Sequence, residues 1–167
     1  EPSAIKYVNS QVRGGQGMVA GLALTAISEI SPASWSPLLV DFLTNRQSSR
    51  RLEAARGLTS MAVKKTNKPI KKALKKEKDA EVKAWLLRAA VATGPKDKST
   101  IATVEKAITS DKETVVRMHA AVAAGAIEDK SASHRLMRKA LADEDPDVRS
   151  AAAYAIATRR DKELAAS

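Results

Sequence analysis

Two histidines, His119 and His134, are the only side chains of this 167-residue chain that titrate near neutrality without help from their surroundings. Acid–base or metal chemistry would be sought there first. No second histidine lies at metal-ligand spacing from either, and the chain has no cysteine. That absence removes a thiolate metal site, a disulfide framework and a cysteine nucleophile at once. Gly14-Gly15-Gln16-Gly17 is too short for a phosphate-cradling loop and follows no strand pattern. Serines and aspartates are plentiful, but nothing in their spacing brings one to a histidine as a triad requires. No catalytic residue, metal or cofactor is expected, and the chain reads as a non-enzyme.

The lysines offer a different chemistry. Of the formal net charge of +10, six units fall between Lys64 and Lys83, where nine lysines stand against Glu77, Asp79 and Glu81. Ile70, Ala73 and Leu74 take the core face of a helix opening near Pro69, which leaves Lys68, Lys71, Lys72, Lys75 and Lys76 outward. Such a patch reads either as a solvated face or as a footprint for nucleic acid or another polyanion. Against nucleic acid, lysine lacks the planar fork that suits phosphate. Base stacking needs aromatic platforms, and Tyr7, Trp35, Phe42, Trp85 and Tyr154 do not interleave with the lysines.

The elements that must position these residues are helices. Alanine, with 31 copies, dominates the apolar content and favours helices at close approach over strands. Leu86, Leu87 and Ala90 stand three, four and seven residues after Lys83, one face of a helix. The same offsets give Ala120, Ala121 and Ala124 after Arg117, Ala152, Ala153 and Ile156 after Arg149, and Ala54, Ala55 and Leu58 after Arg51. Val19, with Leu22, Ala23 and Ala26, follows the template without the base. The five starting positions are spaced by 32, 32, 34 and 32 residues, a period that predicts stacked helical hairpins. Shorter amphipathic segments lie between: Ile5 to Val12, Trp35 to Leu43, Ile70 to Leu74 and onward, Ile101 to Ile108, and Leu136 to Leu141.

The clearest unit runs from Leu136 through Ala140, Leu141, Asp143, Asp145, Pro146, Asp147, Val148 and Arg149 to the alanine-rich stretch ending at Ile156. It resembles a HEAT repeat, an armadillo-like helical hairpin, of the short kind also found in the phycobilisome-lyase-type group. The resemblance implies an all-α, right-handed α-solenoid of about five antiparallel helix pairs. It also implies that Arg51, Lys83, Arg117, Asp147 and Arg149 form a structural ladder between repeats, and that the unit at Val19 is an N-terminal cap. Likeness at the level of a repeat specifies no site, so no lyase-like or glycosylase-like chemistry is carried over.

In such stacks the second helices line the concave side, and equal offsets form rows across the array. Two residues past the base stand Glu53, Trp85, His119 and Ala151; five past it stand Arg56, Arg88, Val122 and Tyr154. Both rows fall away from the core-facing offsets. Arg56, Trp85, Arg88, His119 and Tyr154 are therefore candidate partner-binding residues, since aromatics and arginine dominate interface energetics. Their other reading is packing between repeats. The expected function is a scaffold that binds a macromolecule, protein in the first instance, with polyanion binding through the lysines as the alternative.

The units are read as 1–30, 31–63, 64–94, 95–127 and 128–167. Asp145-Pro146 has the form of an N-cap followed by proline at the first helical position, and Gly94-Pro95 that of a helix stop. Arg159 to Leu164 begins like a further inter-repeat segment, consistent with a longer array. Met18 to Ile30 is interrupted by Gly21, Thr25, Ser28 and Glu29, so no membrane insertion is expected. A start at Glu1 fits a trimmed or processed terminus, leaving cytoplasm and export after signal removal equally open.

Overall fold

The computed structural model describes Ser10, Ala26, Ile27 and residues 33–159. Within them eight α-helices follow one another: α1 (Ser36–Phe42), α2 (Ser48–Met61), α3 (Asn67–Leu74), α4 (Ala80–Thr93), α5 (Lys98–Ser110), α6 (Thr114–Gly125), α7 (Lys130–Leu141) and α8 (Pro146–Arg159). Each odd-numbered helix packs on the even-numbered one after it, and the second helices α2, α4, α6 and α8 stack in turn as a continuous layer. The chain is an all-α solenoid of four described pairs. Ile5 to Val12 falls almost wholly outside the described residues, as do Val19, Leu22 and Ala23. Ile27 is buried in the core and Ala26 is exposed.

Local chemistry sets the helix ends. Asp79, Asp97 and Asp129 accept hydrogen bonds from the N–H groups of Val82, Thr100 and Ala132, capping α4, α5 and α7. Pro146 opens α8 where its missing N–H costs nothing. Gly94 ends α4 against Asn67, whose Nδ2 would lie 2.6 Å from any added Cβ. Asn67 spends that proximity on bonds to Ala90 O and Thr93 Oγ1.

Small residues let the second helices approach. Leu86, Leu87 and Ala90 are buried in α4, and Ala120, Ala121 and Ala124 in α6. A Cβ on Gly125 would meet the Ala155 methyl at 3.0 Å. In α8 the pattern changes: Ala152 and Ile156 are buried, but Ala153 is exposed. The fourth offset faces the following unit, and no described helix follows α8.

Charged pairs tie unit to unit. Arg51 donates from Nε and Nη2 to the two carboxylate oxygens of Glu77, at 2.8 and 2.9 Å. Arg117 grips Asp143 the same way, at 2.9 and 3.1 Å. Lys83 reaches Asp111 with its single ammonium. Each acid stands in the next unit, six residues before that unit's own base. There it also caps its turn: Glu77 accepts from the Lys78 and Asp79 N–H groups, Asp111 from Glu113 and Asp143 from Asp145. Arg51, Arg117 and Arg149 use Nη1 to bind two carbonyls of their own turns, Asn45 and Arg46, Asp111 and Lys112, and Asp143 and Glu144. Lys83, a compact ammonium without the fork, makes only the link between units.

Asp147 stands outside this ladder. It is exposed in the first turn of α8, where its N–H donates to Asp145 Oδ1 at 2.9 Å. The acid that Arg117 reaches is Asp143, because the turn faces the preceding helix whereas Asp147 has already entered its own.

The Arg117 and Asp143 side chains are only 11% and 8% exposed. Arg117→Ala leaves that carboxylate without its charge partner and is expected to cost roughly 3 kcal/mol in urea unfolding. Burial alone would push the Glu77 and Asp143 carboxyls up, but hydrogen bonds from Arg51 and Arg117 and from turn N–H groups hold both below the usual range. Their stabilising effect is therefore full above the unfolded-state value near 4 and is lost as pH falls through the folded value. The urea midpoint should decline from about pH 4.5 downward, and less steeply in Asp143→Asn.

Candidate functional site

Second helices of successive units present equal offsets side by side, which brings residues distant in sequence into one row. Trp85 of α4 meets His119 of α6 edge to face, with ring centroids 5.2 Å apart. Arg88, one turn further along α4, places its guanidinium 4.6 Å from the centroid of the Trp85 ring, and Arg56 of α2 places its own at 5.2 Å. Four of the five residues singled out from the register thus form one cluster across three helices. Tyr154 of α8 ends the row and is 63% exposed, the one large hydrophobic side chain exposed among the described residues.

Trp85 is less a projecting anchor than a platform. Its indole is partly buried against the core, and two guanidiniums use its face, an arrangement worth about 1 kcal/mol for each well-placed pair. The two cations differ in what else they touch. Arg56 donates to Glu53 at 3.2 Å, while its Nε is buried without a partner. Arg88 makes no hydrogen bond or ion pair with the described residues. Burial pulls the Arg88 guanidinium below its ordinary value and the Tyr154 phenol acts against that, but an arginine stays charged. The row therefore displays a half-buried cation whose forked donors are open.

His119 sits among these charges. Burial lowers its pKa first, the Arg88 charge lowers it further, Glu81 opposes, and Arg56 lowers it again. The net effect disfavours the charged imidazolium, and Nδ1 is buried without a partner among the described residues. His134 lies on α7 in the following unit. Among the described residues no group of three or more His, Asp or Glu could hold a metal ion, and no helix is long and apolar enough to cross a membrane.

The lysines occupy another part of the molecule. Lys68, Lys72, Lys75 and Lys76 are exposed on α3 and its C-terminal turn. Lys71, expected outward with them, is half-buried: it pairs with Asp97 at 3.0 Å and donates to Ser99 Oγ at 2.8 Å, linking α3 to the next unit. A helical offset that points away from one's own core still points at the neighbouring repeat. On α4, Lys83 and Leu87 line the groove beside α3, and at 3.6 residues per turn the midline of that pair lies about 150° around the helix from the midline of Trp85 and Arg88. The lysine patch and the aromatic row are on opposite sides of the second-helix layer.

The sequence profile of HEAT repeats matches residues 67–157, from the start of α3 into the last turns of α8. It describes HEAT repeats at large and does not single out the phycobilisome-lyase-type group. No curated protein matches the chain.

Because the Arg88 charge lowers the His119 pKa, Arg88→Gln should move the imidazole titration to higher pH, read from the ring-proton shifts in an NMR titration. An unchanged His119 titration would mean that the two side chains do not face each other in solution.

Proposed function

We propose, from the premise that the chain belongs to the HEAT-repeat family, that it is a non-enzymatic scaffold whose second-helix row docks a protein partner. HEAT repeats are generally protein-interaction scaffolds. The observation that carries the choice of face is Arg88: its guanidinium is stacked 4.6 Å over Trp85, half-desolvated, with no acceptor among the described residues. A partner carboxylate or backbone carbonyl would supply the missing acceptor. The fork is already held in place, so little side-chain freedom remains to be lost on docking. Tyr154 adds an exposed ring with a polar tip at the end of the row, the kind of side chain that dominates contact energetics. Arg56 and His119 complete a surface that is cationic at its centre and aromatic at its edge.

The reading is tested with the purified chain as bait in extract of its source cells, quantified by mass spectrometry against variants. Arg88→Ala, which removes the stack on Trp85, and the double variant Trp85→Ala/Arg88→Ala should each reduce retention of a specific protein, the double variant by about tenfold or more. Both must keep the helical circular dichroism of the parent. Equal retention by parent and folded double variant would remove the second-helix row as the docking face.

A further inference from the structure

We propose a second binding site on the opposite face: the groove between α3 and α5 takes an acidic peptide segment, seating an apolar side chain on its floor and carboxylates on its lysine rim. The site is independent of the Trp85 row and involves none of its residues.

The groove opens between two first helices, α3 and α5, that are joined at one end by Lys71 with Asp97 and Ser99. Between α5 and α7 the gap is bridged: Glu105 binds both Arg135 and Lys139, and those two cations hold its carboxyl below the usual range. In the 34-residue register that relates Lys83 to Arg117, the position of Glu105 on α5 corresponds to Lys71 on α3. Where α5 carries the bridging acid, α3 carries a cation. Lys75 from the α3 side faces the same groove as Lys106 of α5, and the carboxylate that lines the groove, Asp111, is held by Lys83.

What remains is a cavity of about 350 Å³. Leu74, Leu87 and Ala107 form its apolar floor, and the Ser99, Thr103 and Ser110 hydroxyls stand on its α5 side. Four lysines surround it. Lys71 and Lys83 are tied to Asp97 and Asp111, whereas Lys75 and Lys106 are exposed and make no ion pair with the described residues. On the other flank of α3, Lys72 and Lys76 line a second groove against α1, of about 700 Å³, with Val40, Leu43, Pro69 and Ala73 among its walls. The i, i+4 pairs 71/75 and 72/76 thus turn α3 into a cationic ridge with an apolar trough on each side.

Charge complementarity selects an anionic occupant, and the apolar floor selects among anions. A nucleic acid would bring phosphates to the lysines but place sugar and base edges over Leu74 and Leu87, with no aromatic side chain in the groove to stack on. A peptide that alternates carboxylates with leucine or isoleucine satisfies both parts at once. The arrangement follows the usual anatomy of a docking groove, apolar at the centre and charged at the rim.

The test uses the full chain and three fluorescein-labelled probes of equal charge: a peptide of leucines separated by glutamate pairs, a polyglutamate, and a single-stranded oligonucleotide. Fluorescence anisotropy at low salt should show the leucine–glutamate peptide bound most tightly. Lys75→Glu/Lys106→Glu should weaken it by about tenfold or more, and added salt should weaken it in the parent. Arg88→Ala should leave it unchanged, which separates this site from the second-helix row. In the parent, amide shifts of Ser99, Thr103 and Ser110 should move on titration with the peptide. The proposal is overturned if the charge-reversed chain binds as well as the parent, if polyglutamate or the oligonucleotide matches the peptide, or if the amide shifts fall elsewhere.

Discussion

The stack depends on one recurring contact: the cationic base of α2, α4 and α6 reaching an acid in the following unit's turn. Arg51 with Glu77, Lys83 with Asp111 and Arg117 with Asp143 are not interchangeable with surface ion pairs, because the acids are largely buried and make a second set of bonds to turn N–H groups. Each carboxylate has two tasks that require the same position. It shapes the turn that launches its own second helix, and it receives the cation that fixes the distance to the previous one. A buried charge with only one of those partners would be a liability. With both, it sets the register in which all other side chains meet.

The aromatic row follows from that register. Trp85 and His119 sit at equal offsets in successive helices, and Arg56 and Arg88 at another equal offset, so stacking the helices in register stacks these side chains. The close approach of the second helices, so tight at Gly125 that an added Cβ would meet the Ala155 methyl at 3.0 Å, brings rings and guanidiniums into contact across units.

This explains what could be read from the residues and what could not. The 32- to 34-residue spacing marked every second helix from α2 to α8, because a solenoid repeats its core contacts and small residues make the pattern plain. The membership of Arg56, Trp85, Arg88 and His119 in one cluster was legible for the same reason, as a property of register. Asp143 and its counterparts Glu77 and Asp111 were passed over in favour of Asp147, because Asp147 is adjacent to Val148-Arg149 in sequence while the bonds run to the neighbouring unit. Ala153 kept the core pattern by composition alone, yet burial at that offset needs a following helix. Lys71 shows the same limit from the other side: a helical wheel sees one helix, and Asp97 belongs to the next unit.

The first helices carry the one departure from strict repetition. A solenoid whose units were identical would bridge every pair of first helices as Glu105 bridges α5 to α7, and the outer surface would be closed. At the corresponding position of α3, Lys71 bridges instead to Asp97 and Ser99 at the start of α5, and a trough lies beside it over Leu74 and Leu87. The excess charge of the chain is uneven: six of the ten units fall between Lys64 and Lys83, around α3, while Arg51, Lys83 and Arg117 at the helix bases are paired by the ladder. Lys75 and Lys106, which the ladder does not absorb, make no ion pair within the described residues and stay exposed at the rim of that trough.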